Sequence, residues 1–295
     1  MPNRARAEAL NARANELEKR GAIEEAVKLY ERAAAICPAW TVPLYNLGLL
    51  FKKQRDWTKS MMYNRQAAEA DPQNQAAWWN LGIAATALGR WKTARLAWRA
   101  FGIDVPDGEG PVDLPCGFGP VRLDPEGNAE IVWAYRLDPA RAEIASIPLP
   151  ESKHRWRDIV LNDGAPCGYR LHQGKEVPVF NELKLLSASS FATFIAHVSM
   201  KESNASTEQL AEVAAELGGC AEDWSRSIRL LCKACSEGRV HKEHDTQKAP
   251  PEGVHLVGIA AKSRAQAEKI LSAWQTKAKG AQIDSLDEAL AGGGG

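Results

Sequence analysis

The stretch AWWNLGIAATALGRWKTARLAWRAFGIDVP, residues 77–106, decides how the first third of the chain folds. Its Leu81-Gly82 pair repeats Leu47-Gly48 at a spacing of 34 residues. One set of prolines keeps the same spacing: Pro38, Pro72 and Pro106. A fixed period of this length is typical of stacked helical hairpins, because one hairpin cannot bury its apolar face without a neighbour. The sequence therefore predicts an α-helical solenoid of three repeats over residues 5–105.

The pattern resembles the tetratricopeptide repeat (TPR) family, whose hairpins carry W-x2-L-G-x2-Y, A-x3-F and P at fixed positions. The third copy keeps this pattern at Trp78, Leu81, Gly82, Ala94, Trp98 and Pro106. The second copy departs from it at Ser60 and Asn64, and the first has Arg13 where leucine is usual. The resemblance implies a partner-binding groove on the first helix of each repeat, at Asn11, Asn15, Tyr45, Asn46, Leu49, Lys52, Lys53, Trp79, Asn80 and Ile83.

The residue types at these positions indicate which class of ligand the groove would bind. Some members of the family hold a C-terminal carboxylate between asparagines and basic side chains. This chain keeps the asparagines at Asn15 and Asn46 but has Asn11, Ala76 and Asn80 where the basic side chains belong. The other positions are apolar or aromatic apart from one lysine pair, which suits a helix or an extended peptide. An alternative needs no external partner, since the next domain could cover the last repeat.

Composition excludes several classes of protein. Lys plus Arg and Asp plus Glu both number 37 in 295 residues, so the molecule has no net charge to attract nucleic acid. No stretch approaches the roughly 18 apolar residues of a membrane span. The first residues lack the apolar core of a secretory signal, and six cysteines are few for a secreted disulfide framework. We therefore expect a cytoplasmic protein with no membrane or nucleic-acid partner.

A run rich in proline and glycine follows the repeats and predicts a linker over residues 106–117. Short alternating segments separated by turn signals then predict a small antiparallel β module, a sheet or barrel, over residues 112–187. Its expected strands are 129–135, 143–147 and 157–161. Within it, Ser152-Lys153-His154-Arg155 indicates a solvated loop.

The last part of the chain predicts an α+β unit over residues 189–283, followed by a tail at 284–295. Its elements are expected in the order β-α-β-β-α, with a further short strand near Gln282: strands 191–198, 227–231 and 254–260 and helices 206–217 and 263–277. This order is typical of a ferredoxin-like sandwich. The chain as a whole is thus predicted to be a multidomain α + β protein.

One segment carries cysteines and histidines, the residue types that most often bind zinc. Cys232 and Cys235 have the C-x2-C spacing that lets two thiolates bind one ion across a turn, and His241 and His244 follow shortly after. Two sulfurs and two imidazoles form a tetrahedral set that zinc prefers, and a filled set is typical of a structural site. The histidine spacing is shorter than that of a zinc finger. A surface loop with incidental ligand-type residues and a redox-active dithiol remain alternatives.

These patterns lead to two hypotheses of different classes. The first is a cytoplasmic adaptor that binds a partner protein or peptide through the TPR groove, with zinc as a structural cofactor. An inhibitor or immunity-type protein is a specialised form of it. The second is an enzyme with its active site in the C-terminal two-thirds and the repeats as a substrate-recognition module. The sequence contains no G-x-S-x-G, P-loop or dinucleotide motif, so it names no catalytic residue.

Overall fold

A computed structural model describes residues 2–127, 129–200, 205–225, 253–278 and 280–293. The chain divides into two compact units: Met1–Leu114 with Asp138–Ala140, and Pro115–Leu137 with Arg141–Gly295. Unit 1 contains six helices: α1 (Pro2–Lys19), α2 (Ile23–Ile36), α3 (Val42–Lys53), α4 (Trp57–Ala70), α5 (Gln75–Ala87) and α6 (Trp91–Phe101). The predicted helical N-terminal third is confirmed.

Local sequence sets where several of these helices begin and end. Asp56 caps α4 by accepting the Lys59 N–H at 3.0 Å, and Asn74 caps α5 by accepting the Ala77 N–H at 3.0 Å. The C-cap of α6 is Gly102, with φ at 100°, a conformation that glycine adopts without a Cβ penalty. These three residues therefore suit the helix ends at which they lie.

Packing between the two helices of a hairpin explains the 34-residue period. Gly82 on α5 lies directly against the indole ring of Trp98 on α6, and Gly48 on α3 lies in the same way against Asn64 on α4. Ala14 on α1 is likewise fully buried. The second helix approaches so closely at this point that only a small residue fits, and the position recurs once per repeat.

The segment predicted as a linker folds back onto the last helix. Arg95 donates to three carbonyls: to Pro106 at 2.9 Å, to Gly110 at 2.7 Å and to Pro111 at 3.2 Å. The buried apolar side chains of this segment, Val105 and Val112, are 2% and 0% exposed. Residues 105–112 therefore form a packed end of unit 1.

Unit 2 begins with a closed five-stranded barrel, in the order β1-β2-β3-β4-β5. Its strands are β1 (Gly117–Arg122), β2 (Ile131–Arg136), β3 (Arg141–Ile144), β4 (Ile159–His172) and β5 (Lys175–Ser187). Consecutive strands pair antiparallel, but β5 and β1 pair in parallel through Val121↔Phe180. Five strands that run alternately up and down leave the first and last pointing the same way, so closure requires a parallel pair. The predicted β module is present, and its purely antiparallel description is corrected.

A four-stranded sheet in the order β7-β8-β6-β9 completes unit 2, with every pairing antiparallel. Its elements in chain order are β6 (Ala192–Ser199), α7 (Thr207–Glu216), β7 (Cys220–Asp223), β8 (Val254–Ala261), α8 (Arg264–Lys277) and β9 (Gln282–Leu290). Phe194, Leu210 and Trp274 join one face of the sheet and both helices in one core. On the opposite face, Trp224 packs with Ile147 from the segment after β3.

Two expectations for this part of the chain need comment. The predicted tail at 284–295 is corrected, because β9 runs to Leu290 and pairs with β6. The strand predicted at 227–231 falls outside the described residues. A strand that the sequence did not predict, β7, pairs with β8 at the edge of the sheet. The ferredoxin-like assignment stays a prediction.

Candidate functional site

The predicted groove positions lie on α1, α3 and α5, which we call the groove face. Its asparagines hydrogen-bond within the repeats. The Asn46 amide donates to Oδ1 of Asn11 at 3.0 Å, which joins α3 to α1. The Tyr30 hydroxyl donates to Oδ1 of Asn15 and to Glu18. Burial, together with the hydrogen bond and charge of Glu18, raises the pKa of Tyr30 and keeps it a donor.

Both groove-face lysines also have partners in neighbouring helices. The Lys52 ammonium is buried and donates to Oδ1 of Asn80 at 3.0 Å, linking α3 to α5. The exposed Lys53 pairs with Glu18 at 2.8 Å, linking α3 to α1. These contacts use the basic groups that a clamp for a peptide carboxylate would need. The groove face thus offers little charge to a ligand.

The third-repeat positions belong to the core. The Trp79 ring meets the rings of Trp98 and Phe101 edge to face, with centroids 5.1 and 4.7 Å apart. Ile83 has no accessible surface. Trp79 is half-buried and contributes mainly to the hairpin's own packing. Ile83 is buried, and the Trp79 ring is held by its contacts with Trp98 and Phe101, so neither residue suits a ligand anchor.

An accessible apolar row remains on α3. Tyr45 and Leu49 are half-buried, and Val42 is 37% exposed. The three residues are spaced i, i+3 and i+7, so they lie on one side of the helix. We call them the apolar strip. Sequence reasoning found Tyr45 and Leu49 but missed Val42, although its position one turn before Tyr45 on the same side was a usable signal.

The four predicted metal ligands, Cys232, Cys235, His241 and His244, lie outside the described residues. Among the residues that are described, no three His, Cys, Asp or Glu side chains come together in a way that could hold a metal ion. The segment that carries the four ligands connects two neighbouring strands. Next to it, Nδ1 of His255 lies 2.8 Å from Oδ2 of Asp223, which ties the start of β8 to the end of β7.

His154 lies in a buried network, contrary to the solvated loop that the sequence indicated. Its Nε2 is 2.9 Å from Oε1 of Glu182, and its Nδ1 is 2.7 Å from the Ser152 carbonyl oxygen. Burial lowers the pKa of His154, but the hydrogen bonds to Glu182 and Ser152 and the charges of Glu182 and Asp158 outweigh it and raise the pKa above its usual value. Oxygen atoms face both ring nitrogens, so this network favours the protonated imidazole over the neutral one.

No helix within the described ranges is both long enough and apolar enough to cross a membrane.

Comparison with solved structures finds TPR domains. The second TPR of Spaghetti (RPAP3), bound to the HSP90 peptide SRMEEVD, is 24% identical, with a TM-score of 0.32, over 34% of this chain and 93% of that chain. The Sgt2 TPR domain from Aspergillus fumigatus is 25% identical, with a TM-score of 0.30, over 32% of this chain and 63% of that chain. The Arabidopsis OM64 TPR domain is 23% identical, with a TM-score of 0.30, over 33% and 80%. No protein-family model matches the chain, and no curated protein matches it. The TPR-like character predicted for the N-terminal helices is confirmed.

Proposed function

We propose that this chain is a protein-interaction adaptor that binds a partner polypeptide on the groove face, with the apolar strip as its anchor. The observation that carries the proposal is a row of one exposed and two half-buried apolar side chains, Val42, Tyr45 and Leu49. It lies beside polar groups that are already bonded to one another. A ligand that buries apolar side chains on this surface gains binding free energy. A terminal carboxylate does not, because both groove-face lysines already have partners. The partner is therefore an amphipathic helix or an extended apolar segment.

The test compares two matched substitutions in the full chain, used as bait in its native cytosol. Leu49→Glu places a charge in the apolar strip. Leu96→Glu makes the same change on α6, where the side chain is 55% exposed and lies outside the groove face. Burying a leucine side chain contributes about 1.5–3 kcal/mol, so Leu49→Glu should weaken capture of a specific partner roughly tenfold or more.

Capture that Leu49→Glu abolishes and Leu96→Glu leaves intact supports the proposal. A partner retained equally by both variants contradicts it and directs attention to unit 2. Trp79→Ala is a poor probe, because the loss of its contacts with Trp98 and Phe101 would disturb the fold of the third repeat.

We also propose that Cys232, Cys235, His241 and His244 bind a structural zinc ion. The support is the ligand set and its spacing, together with the position of the segment between two paired strands, where a metal would fix a long connection. Elemental analysis of protein purified without chelator should give one zinc per chain. In Cys232→Ser/Cys235→Ser the zinc should be lost. A metal-free wild-type protein that forms a Cys232–Cys235 disulfide would favour the redox alternative instead.

Two finer assignments complete the proposal. The order strand, helix, strand, strand, helix, strand and the sheet order β7-β8-β6-β9 support a ferredoxin-like arrangement for the last part of the chain. Among the described cysteines, Cys37 and Cys167 have free thiols, which supports a reducing compartment, the cytoplasm. Fractionation of cells that express the full chain tests the second assignment, and recovery in an oxidising compartment would contradict it.

A further inference from the structure

An aromatic cluster covers part of the outer face of the barrel. Phe118 on β1 stacks on Trp133 of β2, with centroids 5.3 Å apart and planes at 7°. Tyr135 lies 5.1 Å from Phe118, and His172, at the end of β4, lies 4.8 Å from Trp133. We call these four residues the aromatic patch.

Strand geometry places the aromatic patch outside the barrel core. Along β2, Val132 and Ala134 point into the core, so Trp133 and Tyr135 point outward. Phe118 pairs directly with Tyr135 across the β1–β2 ladder and therefore shares its side of the sheet.

The patch is unusually accessible for its composition. Phe118 is 39% exposed and Tyr135 is 56% exposed, while Trp133 and His172 are half-buried. Of the seven large apolar side chains found exposed in the described part of the chain, four belong to β1, β2 and β4 of the barrel. Single exposed apolar residues are common, but contiguous aromatic surface marks an interaction site.

The polar atoms of the patch define what its ligand must offer. Within the described residues, neither the Tyr135 hydroxyl nor the Trp133 indole N–H has a hydrogen-bond partner. Both groups are donors directed away from the core, so a bound ligand should present acceptors next to flat apolar groups.

The charges around the patch favour neither a sugar nor a nucleic acid as its ligand. Glu143, paired in register with Tyr135, is bonded to Arg157 at 3.2 Å, so a sugar finds no unpaired carboxylate there. Lys175, paired in register with His172, places a single ammonium at the margin. Arg170, two residues before His172 on β4, lies on the same side of the strand and donates to the Tyr169 carbonyl. A nucleic-acid strand requires a basic groove that follows its phosphates, and one lysine and one bonded arginine do not provide it.

We propose that the aromatic patch binds a proline-rich polypeptide segment in the polyproline II conformation. Proline rings pack on aromatic faces, and the extended backbone presents carbonyl acceptors while its prolines carry no N–H that needs a partner. Trp133 and Tyr135 donate to those carbonyls, and Phe118 and Trp133 supply the apolar surface. Lys175 favours a peptide with a carboxylate beside the prolines over one with a basic residue there. This site lies in unit 2 and does not depend on the groove face.

The probe is a fluorescein-labelled ten-proline peptide, titrated against the full chain and followed by anisotropy. We expect saturable binding. Tyr135→Ala should weaken it about tenfold, since the ring loses most of its burial against the peptide. Tyr135→Phe, which removes only the donor, should weaken it roughly twofold to tenfold. Tyr169→Ala and Tyr169→Phe are matched controls, because Tyr169 is 58% exposed on the same barrel but has no ring contact with the patch.

Circular dichroism of each variant shows whether the barrel is retained, and Tyr135→Phe keeps the ring in case Tyr135→Ala unfolds it. A labelled oligothymidine and peptides with glutamate or lysine after the prolines complete the test. Binding that falls in the Tyr135 variants and not in the Tyr169 variants, with preference for the glutamate peptide, supports the proposal. The proposal is overturned by no saturable binding of the proline peptide, by equal losses at the two tyrosines, or by tighter binding of the oligothymidine.

Discussion

Adding a methyl group at Gly82 tests whether close packing between α5 and α6 explains why a small residue recurs at this position of each repeat. A Cβ at this position would lie 2.5 Å from Cζ3 and 2.6 Å from Cζ2 of Trp98. Trp98 has no accessible surface, and its ring is in contact with Trp79, so it has little room to move. Overpacking of this kind costs about 1–3 kcal/mol, and a rigid indole places the cost in the upper half of that range. Replacing glycine by alanine inside a helix stabilises the helix by about 1 kcal/mol. Gly82→Ala should therefore lower the free energy of unfolding by about 1–2 kcal/mol.

A double-mutant cycle separates the steric cost from the helix propensity. The atoms that a methyl at Gly82 would meet belong to the six-membered part of the Trp98 indole. Trp98→Phe shortens the side chain, so Gly82→Ala in that background should be neutral or stabilising by up to about 1 kcal/mol. Urea unfolding followed by far-ultraviolet circular dichroism measures all four proteins. If Gly82→Ala changes stability by the same amount and sign in both backgrounds, the close-packing explanation of the repeat period is refuted.

Two further predictions follow from buried charged groups. Arg95→Met removes the donor that binds the Pro106, Gly110 and Pro111 carbonyls, so amide hydrogen exchange over residues 103–114 should accelerate. Arg90→Met is a matched control at an exposed position and should leave the exchange unaltered. The raised pKa of His154 means that its pairing with Glu182 stabilises the fold fully below about pH 6.5, its unfolded pKa, and that this stabilisation is lost as pH rises through the higher folded value. The urea midpoint of the wild type should therefore fall more steeply with pH rising above about 6.5 than that of His154→Gln, and parallel slopes would contradict the assignment.

The helical repeats could be predicted because their determinants are local and recur. Gly48 and Gly82 mark close contacts within one hairpin, and Asp56 and Asn74 cap helices a few residues away. Such contacts leave a pattern in any window of one or two repeats. The fold of the first third therefore followed from spacing alone.

The barrel was harder to predict because its closure depends on strands far apart in sequence. β1 begins where the predicted linker ends and was not among the expected strands, because glycine and proline interrupt its sequence. It nevertheless pairs with β2 and with β5. The parallel pairing of Val121 with Phe180 follows from the number of strands, which no local window reveals. His154 is similar: its neighbours in sequence are basic, but its partner Glu182 lies on β5.

Groove-face polarity shows why residue type at a family position is a weak guide to ligand binding. Asn11 and Asn46 are 35 residues apart, as are Glu18 and Lys53, so each pair consists of neighbours in adjacent repeats. Their bonds hold one repeat to the next, and a repeat period brings any complementary pair at this spacing together. Polar side chains that have such a complementary residue are already bonded to the neighbouring repeat. The surface that stays accessible to a binding partner is therefore the surface whose side chains make no such bond, and on α3 that surface is the apolar strip. A ligand can then be recognised by hydrophobic burial on α3 while the polar bonds set the spacing of the helices that flank it.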